Sequence, residues 1–562
     1  MPGICYFCGG IRIMRYFVTI LLIFMLSGQA VGVAGQSVHG APRQGVTQPR
    51  KGVIPPGQEA VQSGKEQSSY QETAEAVAHD PTFAQAYVGI CVMDGNGKVL
   101  ARVNADKMLV PASNMKLITT GAALHMLSPS HTFETSLAYD GNIEGGILRG
   151  NLHIIGGGDP TLGSKDSIAT PVERTFAVWE KMLRDAGIRR IEGHIVGDGR
   201  SFEGMMEEPT WLWNDTGTYY GAGVSGLMFY ENMQSFSVSA GPEVEAPVNI
   251  KPYYPDCPWM DFRYACSTGK AGTGDRLYMY TSDLAPVAEI RGTFGLDRAA
   301  KRVDCANKYP EYTCARYFEN YLRKKGMSCS GGAADYKLIT GWMTEEAGCA
   351  GQGNGTGDRT VTDGGKTLIG STLSPTLDRI VFETNHASNN VFAETLFRTL
   401  GKTLHESACY DSSYVALNDA LAELGVSTGS GIKVQDGSGL SRHNLVSPEF
   451  LCRFLHAMSH SPAFGDFLES LPSPGFNGTL EYNMKGHPEA LRRRIKVKSG
   501  SMNGVRCYSG YILPSYSGNL SCENGLPEGT LIISIMTNNC TSPNWKVRPL
   551  LDRFMAALAR GN

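Results

Sequence analysis

The chain has 562 residues, 42% hydrophobic and 19% charged, enough apolar side chain for a sizeable core and more length than one domain commonly needs. That composition excludes a fibre or a disordered tail. A formal net charge of −3 excludes bulk attraction to nucleic acid or anionic lipid.

At the N-terminus, Arg12 and Arg15 precede an apolar run from Tyr16 to Leu26, followed by the small residues Ser27, Gly28 and Ala30. This is the pattern of an export signal, and the run is short for a membrane span. Residues 1–35 are therefore read as a signal, with Met14 as an alternative start and an uncleaved anchor as the alternative fate. Residues 36–68, rich in Gly, Gln, Ser and Pro, read as a disordered tether. The expected location is periplasmic or elsewhere in the cell envelope, with membrane association only through an uncleaved signal. Twelve of the fourteen cysteines lie beyond the signal, and export favours pairing of some of them. Cys257 with Cys266 and Cys305 with Cys314 are the close-spaced candidates. After Cys8 there is no CxxC pair or Cys/His cluster of zinc spacing, so neither a structural metal nor a cofactor is expected.

Along the chain, Ser69 to His79 reads as a helix. Tyr87 to Met93 and Val99 to Val103 read as strands joined by Asp94-Gly95-Asn96-Gly97, a hairpin turn sequence. Ser113 to Leu127 carries apolar residues at helical spacing. Between Phe133 and Gly365 short apolar runs alternate with glycines, which predicts one or two β-rich inserted domains over 133–365. A basic run, Arg492 to Arg494, reads as a solvated strand entry and not a nucleic-acid contact, given the overall charge. Arg494 to Ser501, Arg506 to Leu513 and Thr530 to Thr537 read as strands, the first two turning at Asn503-Gly504, and Lys546 to Arg560 as an amphipathic helix. The two flanks, 69–132 and 366–562, thus supply strands and helices for one α/β unit with an antiparallel sheet.

Three short motifs carry chemistry: Ser113-Asn114-Met115-Lys116, Ser388-Asn389-Asn390 and Lys498-Ser499-Gly500, the S-x-x-K, S-x-N and K-T-G set of penicillin-interacting serine enzymes. Each is weak alone, since Ser430 to Lys433 repeats the first and Ser501 to Asn503, Ser517 to Asn519 and Ser542 to Asn544 repeat the second. Context favours Ser113, which opens a buried helix with Lys116 one turn on. A serine there is commonly just a cap, but a cap has no need of that lysine. A serine hydroxyl becomes nucleophilic when a neighbouring base takes its proton, and a lysine can do so if its pKa is depressed. Lys498 is expected to depress it and to bind a substrate carboxylate. Ser388 would relay a proton to the leaving amine, and Asn390 would hold Lys116 and the substrate amide. Ser499, Gly500 and Ser501 form the strand that contacts substrate, and the N–H groups of Ser113 and Ser501 form an oxyanion hole.

With these motifs in order, together with Val110-Pro111-Ala112-Ser113, Gly157-Gly158-Asp159-Pro160-Thr161-Leu162, Val196-Gly197-Asp198, Tyr219-Tyr220-Gly221-Ala222, Asp436-Gly437-Ser438-Gly439-Leu440-Ser441-Arg442 and Gly478-Thr479-Leu480, the chain resembles the low-molecular-mass class C penicillin-binding proteins, the D-alanyl-D-alanine carboxypeptidase/endopeptidase family. The resemblance implies a transpeptidase/β-lactamase-like α/β sandwich interrupted by inserted domains between the first two motifs. It also implies an acyl-enzyme on Ser113, peptidoglycan stem peptides and cross-links as substrates, and β-lactam antibiotics as covalent inhibitors. A pocket for the substrate's side-chain end would be lined by Asp215, Tyr220, Arg442 and Met502. Two positions depart from the family pattern: Ser499, where Thr is commoner, keeps the hydroxyl, and Asn389, where Asp is common, has a side chain the mechanism does not require. The alternatives are a β-lactamase, which the long gap between Lys116 and Ser388 disfavours, and a non-catalytic peptidoglycan-binding envelope protein, which the complete set of catalytic positions disfavours.

Overall fold

The computed structural model describes residues 59–336, 365–515 and 526–561. The expected signal and residues 36–58 of the expected tether lie outside them, as does Ser517 to Asn519. From residue 60 onward the described residues form one compact unit. A helix, α1 (Glu59–Ala78), starts ten residues before the expected Ser69, so the tether does not reach residue 68. Among the described residues no helix is long and apolar enough to cross a membrane.

Five antiparallel strands from both ends of the chain make one sheet: β1 (Tyr87–Asp94), β2 (Val99–Val103), β3 (Ile495–Met502), β4 (Val505–Ile512) and β5 (Leu531–Asn538), in the order β3-β4-β5-β1-β2. Both hairpins turn where their sequences predict. Asp94 Oδ1 accepts the N–H groups of Asn96 and Lys98 at 2.9 Å, and Gly504 takes a φ of 74° between the paired Met502 and Val505. In the central strand β5 every residue is buried, and the pleat divides them between two cores. Ile532 and Met536 face a layer built from α2 (Met115–Leu127), α3 (Leu377–His386), α4 (Asn390–His405), α5 (Tyr410–Glu423) and α6 (Pro448–Met458). Ile533 and Ile535 face the other way, against Ala74 of α1 and Phe554 and Met555 of α7 (Asn544–Gly561). Burial of such a side chain stabilises by roughly 1.5–3 kcal/mol, so a one-residue slip of β5 would exchange the facing side chains of both cores at once. Helix α2 crosses α6 closely because Gly121 has no side chain: a Cβ there would sit 2.7 Å from Phe454 Cζ.

The chain leaves this unit at the strand Glu134–Tyr139 and returns along Thr367–Leu373, and these two strands pair antiparallel. They belong to a five-stranded sheet with Leu152–Gly156, His194–Asp198 and Gly332–Asp335. The return strand therefore belongs to the insert, beyond the expected boundary at 365. Trp179 Nε1 donates to Thr372 Oγ1 at 3.1 Å from the core side of that sheet. Among the described residues the insert also contains three three-stranded sheets: Asn249–Tyr254 with Met233–Ser239 and Lys301–Ala306, Asp261–Gly269 with Ala285–Gly295 and Tyr278–Ser282, and Asn142–Glu144 with Ile147–Arg149 and Arg190–Ile191. Two amphipathic helices, Val172–Asp185 and Pro310–Lys324, make it mixed and not purely β.

Neither expected disulfide is present, and all four cysteines are free thiols. Cys257 is buried in the core beneath the first two of the three-stranded sheets, while Cys266 turns its Sγ to the carbonyl of Ile290 at 2.9 Å. Cys305 and Cys314 sit in two different hydrophobic cores, so their closeness in sequence does not bring them together. The basic run is anchored and not merely solvated. Arg492 and Arg493 lie over the Phe476 ring at 4.6 and 4.4 Å, and Arg494 donates to the carbonyls of Leu513 and Ala559 at 2.7 and 2.8 Å.

Candidate active site

A cleft of about 990 Å³ opens at the β3 edge of the sheet, between the helical layer and the insert. Ser113, Asp215, Tyr220, Ser388, Asn390, Arg442, Ser499, Ser501 and Met502 all line it. Lys116 and Lys498 lie beneath, both 0% exposed. Gly500 stands behind the cleft wall, where its lack of a side chain lets β3 pass the serine turn: a Cβ would be 2.5 Å from the Pro111 carbonyl oxygen. All twelve residues singled out from sequence therefore converge on one place.

Ser113 lies in a single turn of 3₁₀ helix, Ala112–Asn114, that leads into α2. Lys116 Nζ approaches Ser113 Oγ at 3.2 Å, donates to Asn390 Oδ1 at 2.6 Å and donates to the Ser438 carbonyl at 2.8 Å. Burial pushes the Lys116 pKa down to about 7, against the opposing pull of Glu394 and Asp436. A neutral amine has two N–H donors and one lone pair. Asn390 and Ser438 take the donors, which leaves the lone pair for the Ser113 hydroxyl.

Lys498 Nζ donates to Ser388 Oγ and to the Ser499 carbonyl, each at 2.9 Å. Its pKa is held well below the ordinary lysine range by burial first and the charge of Lys116 second. The expected field effect thus acts on Lys498, whereas burial depresses Lys116. Ser388 has a φ of 57°, a strained conformation for a serine. Asn390 Nδ2 donates to the Tyr220 carbonyl at 2.9 Å, so the insert helps to orient the residue that holds Lys116. At the other end of the cleft, Tyr220 OH donates to Asp215 Oδ1 at 3.2 Å, and burial raises the Asp215 pKa. Arg442 Nη2 donates to the Asn503 carbonyl at 2.8 Å, beside Met502.

Several contributors carry no role on sequence grounds. Glu394 is buried on α4, one turn after Asn390, and accepts the N–H groups of Gly437 and Ser438 at 3.2 and 2.7 Å. Burial and then the charge of Asp436 raise its pKa. Asp436 accepts from Gly439 N, Ser441 N and Asn444 Nδ2 at 2.6 to 2.7 Å and from Trp211 Nε1 at 2.8 Å. This network fixes the loop whose Ser438 carbonyl meets Lys116. Gly439, at a φ of 83°, brings that loop so close that a Cβ would lie 1.9 Å from the Ala112 carbonyl oxygen. Thr479 shares a hydrogen bond with Ser499 Oγ at 2.8 Å. The i,i+4 relation of Asn390 and Glu394 was a visible signal; the loop contacts were not.

Comparison with known proteins identifies the family. The model of the D-Ala-D-Ala carboxypeptidase 3 (S13) family matches residues 70–337 and 348–555. D-alanyl-D-alanine carboxypeptidase of Actinomadura sp. (strain R39) is 26% identical over 491 residues, covering 84% of this chain and 81% of that protein. D-alanyl-D-alanine carboxypeptidase DacB of Haemophilus influenzae is 24% identical over 428 residues, 74% of this chain and 80% of its own. The crystal structure of penicillin binding protein 4 (dacB) from H. influenzae superposes with a TM-score of 0.69 at 20% identity, covering 87% of this chain and 98% of that one, and shares the fold. The family match spans both flanks and the insert between them, and the chain belongs to the D-Ala-D-Ala carboxypeptidase 3 (S13) family.

Proposed function

We propose that the protein is a penicillin-binding serine D-Ala-D-Ala carboxypeptidase and DD-endopeptidase that cuts peptidoglycan stem peptides and cross-links through an acyl-enzyme on Ser113. The observation that carries this reading is the environment of Lys116: fully buried, with its Nζ 3.2 Å from Ser113 Oγ, 2.6 Å from Asn390 Oδ1 and 2.8 Å from the Ser438 carbonyl oxygen. Membership of the family and the carboxypeptidase relatives support it.

Lys116 takes the hydroxyl proton as Ser113 Oγ bonds to the carbonyl carbon of the D-alanyl peptide bond. The developing oxyanion is held by the N–H groups of Ser113 and Ser501, the second on the edge strand β3, where alternate backbone groups face away from the sheet. Collapse breaks the C–N bond, and the leaving amine takes the proton that Lys116 received, passed on through Ser388, which returns Lys116 to its neutral form. Water then attacks the ester with Lys116 again as base, releasing the peptide and restoring Ser113. Ser499, with Thr479 behind it, binds the terminal carboxylate beside Lys498. Gly500 keeps that strand against the serine turn. Asp215, Tyr220, Arg442 and Met502 receive the side-chain end of the substrate. A β-lactam acylates Ser113 by the same attack and remains attached. The substrate places the protein outside the cytoplasm, in the periplasm or elsewhere in the envelope, with residues 1–35 as the export signal.

The test is to incubate the protein and its Ser113→Ala variant with a fluorescent penicillin and to locate the adduct by peptide mass spectrometry. A stable adduct on Ser113 that is lost in the variant is expected. Absence of both adduct and penicillin hydrolysis in the unmodified protein would sink the serine mechanism.

A further inference from the structure

A second groove, about 470 Å³, adjoins the cleft on the outer face of the insert's sheet Asp261–Gly269, Ala285–Gly295 and Tyr278–Ser282. The inner face of that sheet supplies Met279, Ala288 and Ile290 to the core. On the outer face Tyr280 stands opposite Glu289, and Tyr278 opposite Arg291. Trp213 projects over them 60% exposed, its ring 6.4 Å from that of Tyr280 at an interplanar angle of 31°. No core requirement explains a tryptophan left in water at this position.

The two cavities share walls. Leu212, Asn214 and Asp215 line the cleft while Trp213, between them, lines the groove; Tyr278 lines the cleft and Tyr280, two residues along the same strand, lines the groove. The groove therefore begins where the Asp215 end of the cleft stops. Its one ion pair, Arg291 Nε to Glu289 Oε1 at 2.8 Å, is internally compensated, so the groove offers no net charge to a charged ligand. It offers two aromatic faces, which attract C–H-rich surfaces, and beside them a planar pair whose remaining N–H groups and oxygens suit hydroxyl and acetamido groups.

We propose that this groove binds an amino-sugar unit of the glycan strand that carries the stem peptide, with the sugar ring on Trp213 and Tyr280 and its polar substituents on Arg291 and Glu289. The inference rests on the peptidoglycan reading above for its choice of ligand. It makes the enzyme a reader of glycan-attached peptide, with the reacting bond at Ser113 and the sugar beyond Asp215.

The test titrates the full chain with peptide-free glycan strands of alternating N-acetylglucosamine and N-acetylmuramic acid, followed by calorimetry, alongside free stem peptide as the second arm. Saturable glycan binding is expected, weakened about tenfold or more in Trp213→Ala and in Arg291→Ala, a change of about 1.4 kcal/mol, with unchanged penicillin labelling in Arg291→Ala showing that fold and catalytic site are intact. No saturable glycan binding by the unmodified chain, or equal binding by both variants, overturns the proposal. So does peptide binding that depends on Trp213 and Arg291 without any glycan binding. Loss of penicillin labelling in the unmodified chain would instead count against the serine mechanism, because glycan binding is read without turnover.

Discussion

Asn389 Nδ2 donates to Glu231 Oε2 at 2.7 Å, joining the Ser388-Asn389-Asn390 motif to the insert. The other oxygen of Glu231 accepts from Ser164 Oγ at 2.6 Å, and Glu231 is the middle one of three consecutive left-handed residues, Tyr230 to Asn232. Asn389 also caps α4, its Oδ1 accepting from Phe392 N at 3.1 Å. The side chain between Ser388 and Asn390 has two structural tasks that sequence alone does not reveal. An aspartate could perform the cap, but it has no N–H for Glu231. The amide at 389 and the carboxylate at 231 are thus a matched pair.

Asn389→Asp would set two carboxylates against each other in a nearly buried site. We expect penicillin acylation to slow about tenfold or more, in line with about 1–3 kcal/mol for a buried polar group that loses its partner. Glu231→Gln in the same chain restores a donor to the pair, and the double variant should recover most of the rate. A double variant slower than Asn389→Asp, measured by stopped-flow acylation, would show that the pair does not hold the motif.

The pH dependence of acylation reports the base. With Lys116 at about 7, the neutral amine predominates above that pH and is lost below it, so the rate should be level at higher pH and fall about tenfold for each unit below about 7. Glu394 raises the Lys116 pKa, and Glu394→Gln should therefore move this limb to lower pH. A limb in the ordinary carboxylate range, near about pH 4, would assign the base to an acid residue and not to Lys116.

The sheet was legible because β1, β3, β4 and β5 are apolar runs bounded by turn sequences, and because Asn503-Gly504 and Asp94-Gly95-Asn96-Gly97 punctuate their hairpins. The candidate catalytic positions were legible because Ser113 and Lys116 lie one helical turn apart and their partners recur as short motifs. What was hidden depends on distant approach. Asp436 organises its loop through backbone N–H groups, and no periodicity marks such contacts. Cys305 and Cys314 are near in sequence yet enter separate cores, so spacing misled. The strand Thr367–Leu373 lies beyond the expected boundary at 365 yet belongs to the insert's sheet, because pairing with Glu134–Tyr139, and not composition, decides its place.

Gly500 tests how closely β3 must approach the serine. Gly500→Ala would place a methyl group 2.5 Å from the Pro111 oxygen and 3.1 Å from Asn114 N, and both neighbours are backbone atoms of the turn bearing Ser113. The strand or the turn must shift, at an overpacking cost of about 1–3 kcal/mol. Acylation is expected to fall by at least about tenfold, because displacement of reacting groups by about 1 Å can cost about a hundredfold, while thermal unfolding remains cooperative. Unchanged acylation would show that the approach of Gly500 is not needed for the chemistry.

Within the insert, Lys308 supports the Tyr220 end of the cleft. It is buried, its Nζ 2.6 Å from Glu207 Oε1 and donating to the carbonyls of Gly221 and Ala222 at 2.9 and 3.0 Å. Lys308→Met removes all three contacts and leaves Glu207 buried without its cation, a loss expected to destabilise by about 3–5 kcal/mol. The lysine is held just beyond Tyr220, whose carbonyl orients Asn390, so the effect should reach Lys116. Calorimetry should show a lower Tm, and acylation below that Tm should be slower than in the unmodified protein. Lys308→Met combined with Glu207→Leu removes the stranded charge and should recover stability, yet not the acylation rate, because the carbonyls of Gly221 and Ala222 still lack their donor. Recovery of both together would mean that Lys308 stabilises the insert without positioning the site.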